Sequence, residues 1–262
     1  MGEWQNIQIE VEDKIAVLTV DHPPVNSFNV RVVTELEQAM DELLVDDEVK
    51  VIIITGGGTR AFIAGADIPE IKAALEQSDG LKETTGQGQA LFLKIEKATK
   101  PIIAAINGFC LGGGMELAMS CHMRVCSDRA QLGQPEINLG IIPGWGGTQR
   151  LPRLANRGKA IEMILTGDMI TAQDAYRLGL VNKVVPHDAV LKEAQGLARK
   201  IASKSKLPVA AALRAITEGL AVPIQEGLKI EADEFDKLGS SEDAREGVSA
   251  FLEKRPPQFK DK

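Results

Sequence analysis

Pro101-Ile102-Ile103-Ala104-Ala105-Ile106-Asn107-Gly108-Phe109-Cys110-Leu111-Gly112-Gly113-Gly114-Met115-Glu116-Leu117-Ala118-Met119-Ser120-Cys121 is the longest apolar tract in the chain. It carries Asn107, four glycines, Glu116 and Ser120, a polar load that a membrane span would not normally hold. The tract reads instead as a buried strand over Ile102 to Ile106, a turn, and a buried helical segment over Leu117 to Cys121. Glycines at 112–114 permit positive φ and let a ligand approach the backbone closely. Free N–H groups at a helix start favour an anion, or an oxygen becoming one. Glu116 is the only charged residue of the tract and falls in the first turn of that helix. Apolar surroundings raise a carboxyl pKa, which suits acid/base work. Taken alone, the same residue also reads as an acid balancing the helix dipole.

Outward from this tract, strands alternate with helices. Ile7 to Val11 and Ile15 to Val20 read as a strand pair turned at Glu12-Asp13-Lys14. Val33, Leu36, Met40 and Leu43 recur at helical spacing, which predicts a helix over Val30 to Val45 with Asn29 as its N-cap. Val49 to Thr55 is a continuous apolar run, the pattern of a strand covered on both faces. Gly56-Gly57-Gly58 after it reads as a turn. A polar helical stretch is expected over Ile68 to Ala98, and Met123 to Cys126 is strand-like. Thr171 is expected to cap a helix through Arg177, with Asp174 in the capping-box position. A last short strand is expected over Val181 to Val185. From His187 the pattern is helical, with breaks expected at Pro208 and Pro223. The expected class is an α/β core over residues 1–200, followed by a helical region over residues 201–262.

The chain has 262 residues and a net charge of −7, a poor match to nucleic acid or an anionic membrane. Aromatic residues make up 4%, so the core must be built mainly from Ile, Leu, Val, Ala and Met. Cys110, Cys121 and Cys126 are an odd number in a long chain and imply no disulfide framework. Met1-Gly2-Glu3-Trp4-Gln5 shows no secretory pattern, so a cytoplasmic location is expected.

Two further segments bear on chemistry. One is Ala61-Phe62-Ile63-Ala64-Gly65-Ala66-Asp67-Ile68. The other runs from Leu132-Gly133-Gln134-Pro135-Glu136 to Pro143-Gly144-Trp145-Gly146-Gly147-Thr148-Gln149-Arg150. Alone, Glu136 reads as a solvated loop acid. Jointly, Glu116 and Glu136 are two acids, each beside a glycine-rich turn in an apolar context.

Together the three segments resemble the crotonase (enoyl-CoA hydratase/isomerase) family, and the Ala64–Asp67 and Gly112–Leu117 stretches are the most telling. Val25-Asn26-Ser27-Phe28-Asn29 resembles the family's early Asn-x-x-Asn turn. Glu242-Asp243 through Arg245-Glu246-Gly247 and Phe251 to Arg255 resembles its C-terminal helix. The resemblance implies a spiral of repeated ββα units with a C-terminal α-helical trimerisation region, giving homotrimers or homohexamers. It implies an enoyl-CoA hydratase, a hydro-lyase adding water to a trans-2-enoyl-CoA in fatty-acid β-oxidation or related acyl-CoA degradation. Glu116 and Glu136 fall on the family's two hydratase carboxylates. Ala66 and Gly113 fall on the backbone N–H donors of the oxyanion hole. Gly144 falls where an N–H helps to hold the water, and Ala64, Gly65, Asp67 and Ile68 on the stretch that meets coenzyme A. No metal or cofactor is implied, coenzyme A being part of the substrate.

Rival readings are a double-bond isomerase or another reaction of the same family, and an RNA-binding relative. The first often lacks one of the two glutamates; the second would want a basic surface. Arg157-Gly158-Lys159-Ala160 is not a phosphate-binding loop, because Ala160 replaces the Ser or Thr. Cys121-His122 and Cys126 lack the second ligand pair of a zinc site.

Overall fold

The computed structural model describes residue 2, residues 4–77 and residues 80–262. β1 (Ile7–Glu12) and β2 (Ile15–Val20) form an antiparallel hairpin that turns on Asp13 and Lys14, both at positive φ. α1 (Val30–Val45) follows, and the side chain of Asn29 accepts from the Val32 N–H at 2.7 Å as its N-cap.

One pattern then repeats three times: a strand in a large sheet, a strand in a small sheet, then helix. β3 (Val51–Gly56) leads to β4 (Ala61–Ala64), α2 (Ile68–Leu75) and α3 (Gly80–Glu96). β5 (Ile102–Ile106) leads to β6 (Phe109–Leu111) and α4 (Gly113–Ser120). β7 (Met123–Ser127) leads to β8 (Gln131–Gly133), a 3-10 turn at Pro135–Leu139, α5 (Gly147–Leu154) and α6 (Arg157–Thr166). β9 (Ile170–Thr171), α7 (Ala172–Arg177), β10 (Lys183–Val185) and α8 (Val190–Ala202) complete the core. The large sheet has the order β1-β2-β3-β5-β7-β10 and is parallel from β2 onward. The small sheet has the order β4-β6-β8-β9, with only β9 antiparallel. This is the spiral of ββα units that the resemblance implied.

Period-two alternation explains why the central strands read as unbroken apolar runs. Ile52 and Ile54 of β3, with Ile102, Ala104 and Ile106 of β5, face the main core. Val51, Ile53, Ile103 and Ala105 face the other way, onto Val190, Ala194 and Ala198 of α8. Both faces are therefore covered, and a polar residue on either would be buried.

Asn26 ties the β2–α1 turn to the core. At 3% exposure and positive φ, its Nδ2 donates to the carbonyls of Gly57, Ala61 and Phe62, while its Oδ1 accepts from the His22 N–H. The turn then pairs with the chain after β4: the Phe28 N–H donates to Gly65 O, and the Asp67 N–H to Phe28 O, each within 2.8 Å.

The helical expectations need three corrections. The stretch over Ile68 to Ala98 is two helices, because the chain turns at Glu76, whose N–H bonds back to Ala74 O. α4 begins at Gly113 rather than Leu117: its first turn is built from the glycines, whose weak helix propensity hides it in the sequence. Pro208 breaks nothing. It lies in the first turn of α9 (Lys206–Gly219), where a missing N–H costs no intrahelical bond, and the interruption falls earlier, at Ser203 to Ser205. Pro223 does fall in a break: α9 ends at Gly219, and Pro223 is the N-cap of α10 (Ile224–Gly239), before α11 (Glu242–Leu252). None of the helices among the described residues is long and apolar enough to cross a membrane.

Candidate active site

Each glycine of the 112–114 run meets a different demand. Gly112, at φ 52°, caps α4, and a Cβ there would stand 2.9 Å from Glu136 Oε1. Gly113 opens the helix, and its Cβ would stand 3.0 Å from the Trp145 ring. Gly114 packs on the backbone of Ile63, where any Cβ would overlap the carbonyl oxygen. The run thus brings the start of α4 against β4, the 3-10 turn and the loop before α5 at once.

Glu116, one turn into α4, is 2% exposed. Its Oε1 accepts two backbone hydrogen bonds, from Trp145 N–H at 2.8 Å and Gly147 N–H at 2.7 Å. Both donors go to one oxygen, so Oε2 keeps no protein donor among the described residues. Burial holds this carboxyl above its ordinary pKa, against the pull of the Gly147 and Trp145 N–H groups.

Glu136 lies on the 3-10 turn, half-buried, with Oε2 shut from solvent and lacking any hydrogen-bond partner. Burial pushes its carboxyl up to about 7, and the charge of Glu116 adds to the rise. The two acids are therefore different in kind, one held by donors and the other unsupported. Such asymmetry separates a base from an acid.

The N–H groups of Ala66, Gly113 and Gly144 are engaged in no hydrogen bond among the described residues. Ala66 is half-buried just past β4, while Gly144 lies in the loop before α5, its carbonyl taken by Gln89 Nε2 at 2.8 Å. Of the residues expected to meet coenzyme A, Ala64 ends β4 and Gly65 follows at φ 90°. Asp67 caps α2, accepting from Glu70 N–H at 3.1 Å, and Ile68 is exposed at its first position. A cleft of about 400 Å³ opens beside this strand, lined by Phe28, Ala66, Asp67, Ile71, Leu81 and Trp145 among others. Neither glutamate lines it.

Several supporting residues escaped the sequence reading. Gln134, fully buried, donates Nε2 to Gly112 O at 2.9 Å and so holds the glycine turn. Arg150 donates Nη1 to Trp145 O at 2.9 Å and grips Glu96 Oε2 with Nε and Nη2. Arg124, at 6% exposure on β7, donates Nη1 to the carbonyls of Ala118 and Cys121 at the end of α4, and Nε to Leu180 O. The glycine-rich spacing from Pro143 to Gly147 was the one available signal. Nothing in it says which N–H groups turn inward.

Residues 10–262 match the enoyl-CoA hydratase/isomerase family. A crotonyl-CoA hydratase from Syntrophomonas wolfei is 44% identical over 259 residues, covering 98% of each chain. A short-chain-enoyl-CoA hydratase from Clostridium acetobutylicum is 42% identical over 254 residues, covering 97% of each. The crystal structure of an enoyl-CoA hydratase from Bacillus anthracis superposes with a TM-score of 0.94 at 36% identity, over 98% of this chain and 100% of that one. A match across nearly the whole chain, with the two acids and the glycine turn set in one place, makes this chain a member of the enoyl-CoA hydratase/isomerase family.

Proposed function

We propose that the protein is an enoyl-CoA hydratase that adds water to trans-2-enoyl-CoA, with Glu116 and Glu136 as its acid/base pair. The observation that carries this reading is the pair itself: Glu116 held ready by two backbone donors, and Glu136 poised near neutrality with an unpartnered buried oxygen. The thioester carbonyl oxygen is received by the N–H groups of Ala66 and Gly113. Water is held at Gly144 N–H and at the free oxygen of Glu116. Glu116 takes a proton from the water as its oxygen bonds to C3. The C2–C3 π pair moves through C1 onto the thioester oxygen, where the two N–H donors stabilise the enolate charge. Collapse of the enolate draws a proton from Glu136 to C2 and leaves the 3-hydroxyacyl-CoA. The pair then exchanges a proton to reset, and every step runs backward as well. Neither a metal nor a redox cofactor enters this scheme.

Ala64, Gly65, Asp67 and Ile68 are assigned to the coenzyme A end of the substrate, since they flank Ala66 in the segment between the end of β4 and the start of α2. The test is incubation with crotonyl-CoA: loss of the conjugated-thioester absorbance with formation of 3-hydroxybutyryl-CoA is expected. Conversion of a 3-enoyl-CoA without hydration of crotonyl-CoA would put the isomerase reading in its place.

Residues 201–262 are assigned to assembly as a homotrimer or a pair of trimers, around the core of residues 1–200. Leu220, Phe235 and Phe251, at the end of α9 and on α10 and α11, are 84%, 79% and 83% exposed, large apolar side chains that an interface between copies would cover. Light scattering at micromolar concentration is expected to report a multiple of three chains; a monomer would overturn the assignment. The three buried free thiols fit a cytoplasmic location.

A further inference from the structure

Glu116 is held by peptide units whose other ends are held too. Three consecutive units run from Gly144 to Gly147, all trans. A trans peptide points its C=O and its N–H in opposite directions, so whatever grips the carbonyl aims the N–H. Gly144 O accepts from Gln89 Nε2 at 2.8 Å, and the N–H of that unit, on Trp145, donates to Glu116 Oε1. Trp145 O accepts from Arg150 Nη1 at 2.9 Å. Gly146 O accepts from the N–H groups of Gln149 and Arg150 at 3.0 and 2.8 Å, and the N–H of that unit, on Gly147, is the second donor to Glu116 Oε1. All three carbonyls are thus taken by α3 and α5, and the N–H groups are left for the carboxylate, a nest of the kind that binds an anion. Gly146, at φ 115°, lets the chain turn there, and a Cβ on it would overlap Arg150 Nη1. The two side-chain grips share a support. Gln89 and Glu96 lie seven residues apart on α3, two turns along one face. Glu96 Oε2 takes Nε and Nη2 of Arg150 at 3.1 and 2.8 Å, which fixes the planar guanidinium that holds Trp145 O.

We propose that Gln89 and Arg150 are positioning residues for Glu116: they fix the loop before α5 so that the Trp145 and Gly147 N–H groups stay on one carboxylate oxygen and the other oxygen is left for the water. The proposal rests on the hydratase reading and adds the residues that set its base. Both side chains act through the loop and not on the substrate. Burial raises the Glu116 carboxyl, and the Gly147 and Trp145 N–H groups, the charge of Arg150 and the Gly146 N–H oppose the rise. The charged groups that bear on Glu116 are Arg150 from α5 and Glu136 from the 3-10 turn. Loss of either grip leaves the ionised form less supported and raises this carboxyl further. A base that must be ionised to take a proton is then ready only at higher pH.

The experiment compares kcat, KM and the pH profile of kcat/KM for crotonyl-CoA in the wild type, Arg150→Met, Arg150→Lys and Gln89→Ala. Arg150→Met is expected to lower kcat at least about tenfold, since small misplacements of a reacting group are felt on that scale or above it. KM should change little, as for an interaction made in the transition state. The acidic limb of its profile is expected at higher pH than in the wild type. Gln89→Ala should move kcat and the limb the same way but less, because Gln89 is neutral and holds one peptide unit. Arg150→Lys keeps the charge without the fork and should lie between the wild type and Arg150→Met. A side chain that only stabilised the fold would lower the amount of active enzyme and leave the limb in place. An unmoved acidic limb in folded Arg150→Met therefore overturns the proposal. If Arg150→Met does not fold, Gln89→Ala decides: its side chain is exposed, so its loss empties no core, and an unmoved limb there overturns the proposal. A wild type that hydrates no enoyl-CoA would instead strike the hydratase reading, and this inference with it.

Discussion

Glu116→Gln and Glu136→Gln are each expected to lower kcat for crotonyl-CoA by at least about 10²-fold, the usual scale for a positioned acid or base. The folds should survive. A glutamine at 116 still offers an oxygen to the Trp145 and Gly147 N–H groups, so the loop before α5 keeps its anchor. Stability should move in the opposite direction from activity at position 136. The Glu136 carboxyl is raised from 4.5 to about 7 in the fold, so the folded state holds its proton more tightly than the unfolded chain. That contribution is fully present below about pH 4.5 and is lost as pH rises through about 7, a difference on the order of 3 kcal/mol. Glutamine does not titrate. Glu136→Gln should therefore gain in melting temperature over the wild type at pH 8 relative to pH 5, while losing turnover at both. Near-normal kcat in either variant would remove that residue from the mechanism. A pH-independent melting difference would show that Glu136 is not buried as a strained acid.

The second large effect is expected at Gly113. Its N–H opens α4 and is spent on no intrahelical bond, and the first helical position tolerates proline. Gly113→Pro should therefore remove the donor while leaving the helix, lowering kcat/KM by 10² to 10³-fold, or about 3 to 4 kcal/mol. The new side chain also presses on Trp145 and Phe28, whose rings stand 3.0 and 3.3 Å from the Cβ position. Gly113→Ala carries the same crowding and keeps the N–H, so it is the matched control. Circular dichroism and oligomer size establish that both are folded. A folded Gly113→Pro enzyme no slower than Gly113→Ala would show that this N–H is not an oxyanion donor.

Gly57 was the kind of glycine that the sequence marks only as a turn, yet it is not an inert comparison site. A Cβ there would stand 2.5 Å from Asp21 Oδ1 and 2.9 Å from Asp21 Cβ. Alanine scanning across the glycines would therefore mix turn strain with site chemistry unless each position is first checked for room.

The central strands and α1 were legible because burial imposes a periodicity that the side chains display: Val51 to Ile54 and Ile102 to Ile106 cannot be anything but covered. The small sheet was not, since β6 and β8 are three residues each and β9 is two, too short to express a period. Glu116 and Glu136 could be singled out by their apolar setting, but the difference between their surroundings could not. It depends on Trp145 and Gly147 N–H groups that turn toward Glu116 and on the lack of any donor to Glu136 Oε2 among the described residues, both properties of backbone direction. Likewise Gln134 reads as an ordinary polar residue until its amide is seen spanning to Gly112 O.

Arg124 gives α4 an unusual field. An eight-residue helix is about 12 Å long and carries roughly half a positive charge at its start and half a negative charge at its end. For a thioester oxygen at the start, the far end normally subtracts from the attraction. Here a buried guanidinium sits on that far end, bonded to the carbonyls of Ala118 and Cys121, with no carboxylate partner among the described residues. Its full charge outweighs the half charge it caps, so both ends of the helix are net positive. The potential at an oxygen bound at the start of α4 would then fall off with distance as that of a charge rather than of a dipole. It acts through a water-poor interior that screens weakly. With Gly113 as the proposed oxyanion donor, negative charge forming there would be drawn to the helix as a whole, and the residue that makes it so lies on the next strand, β7.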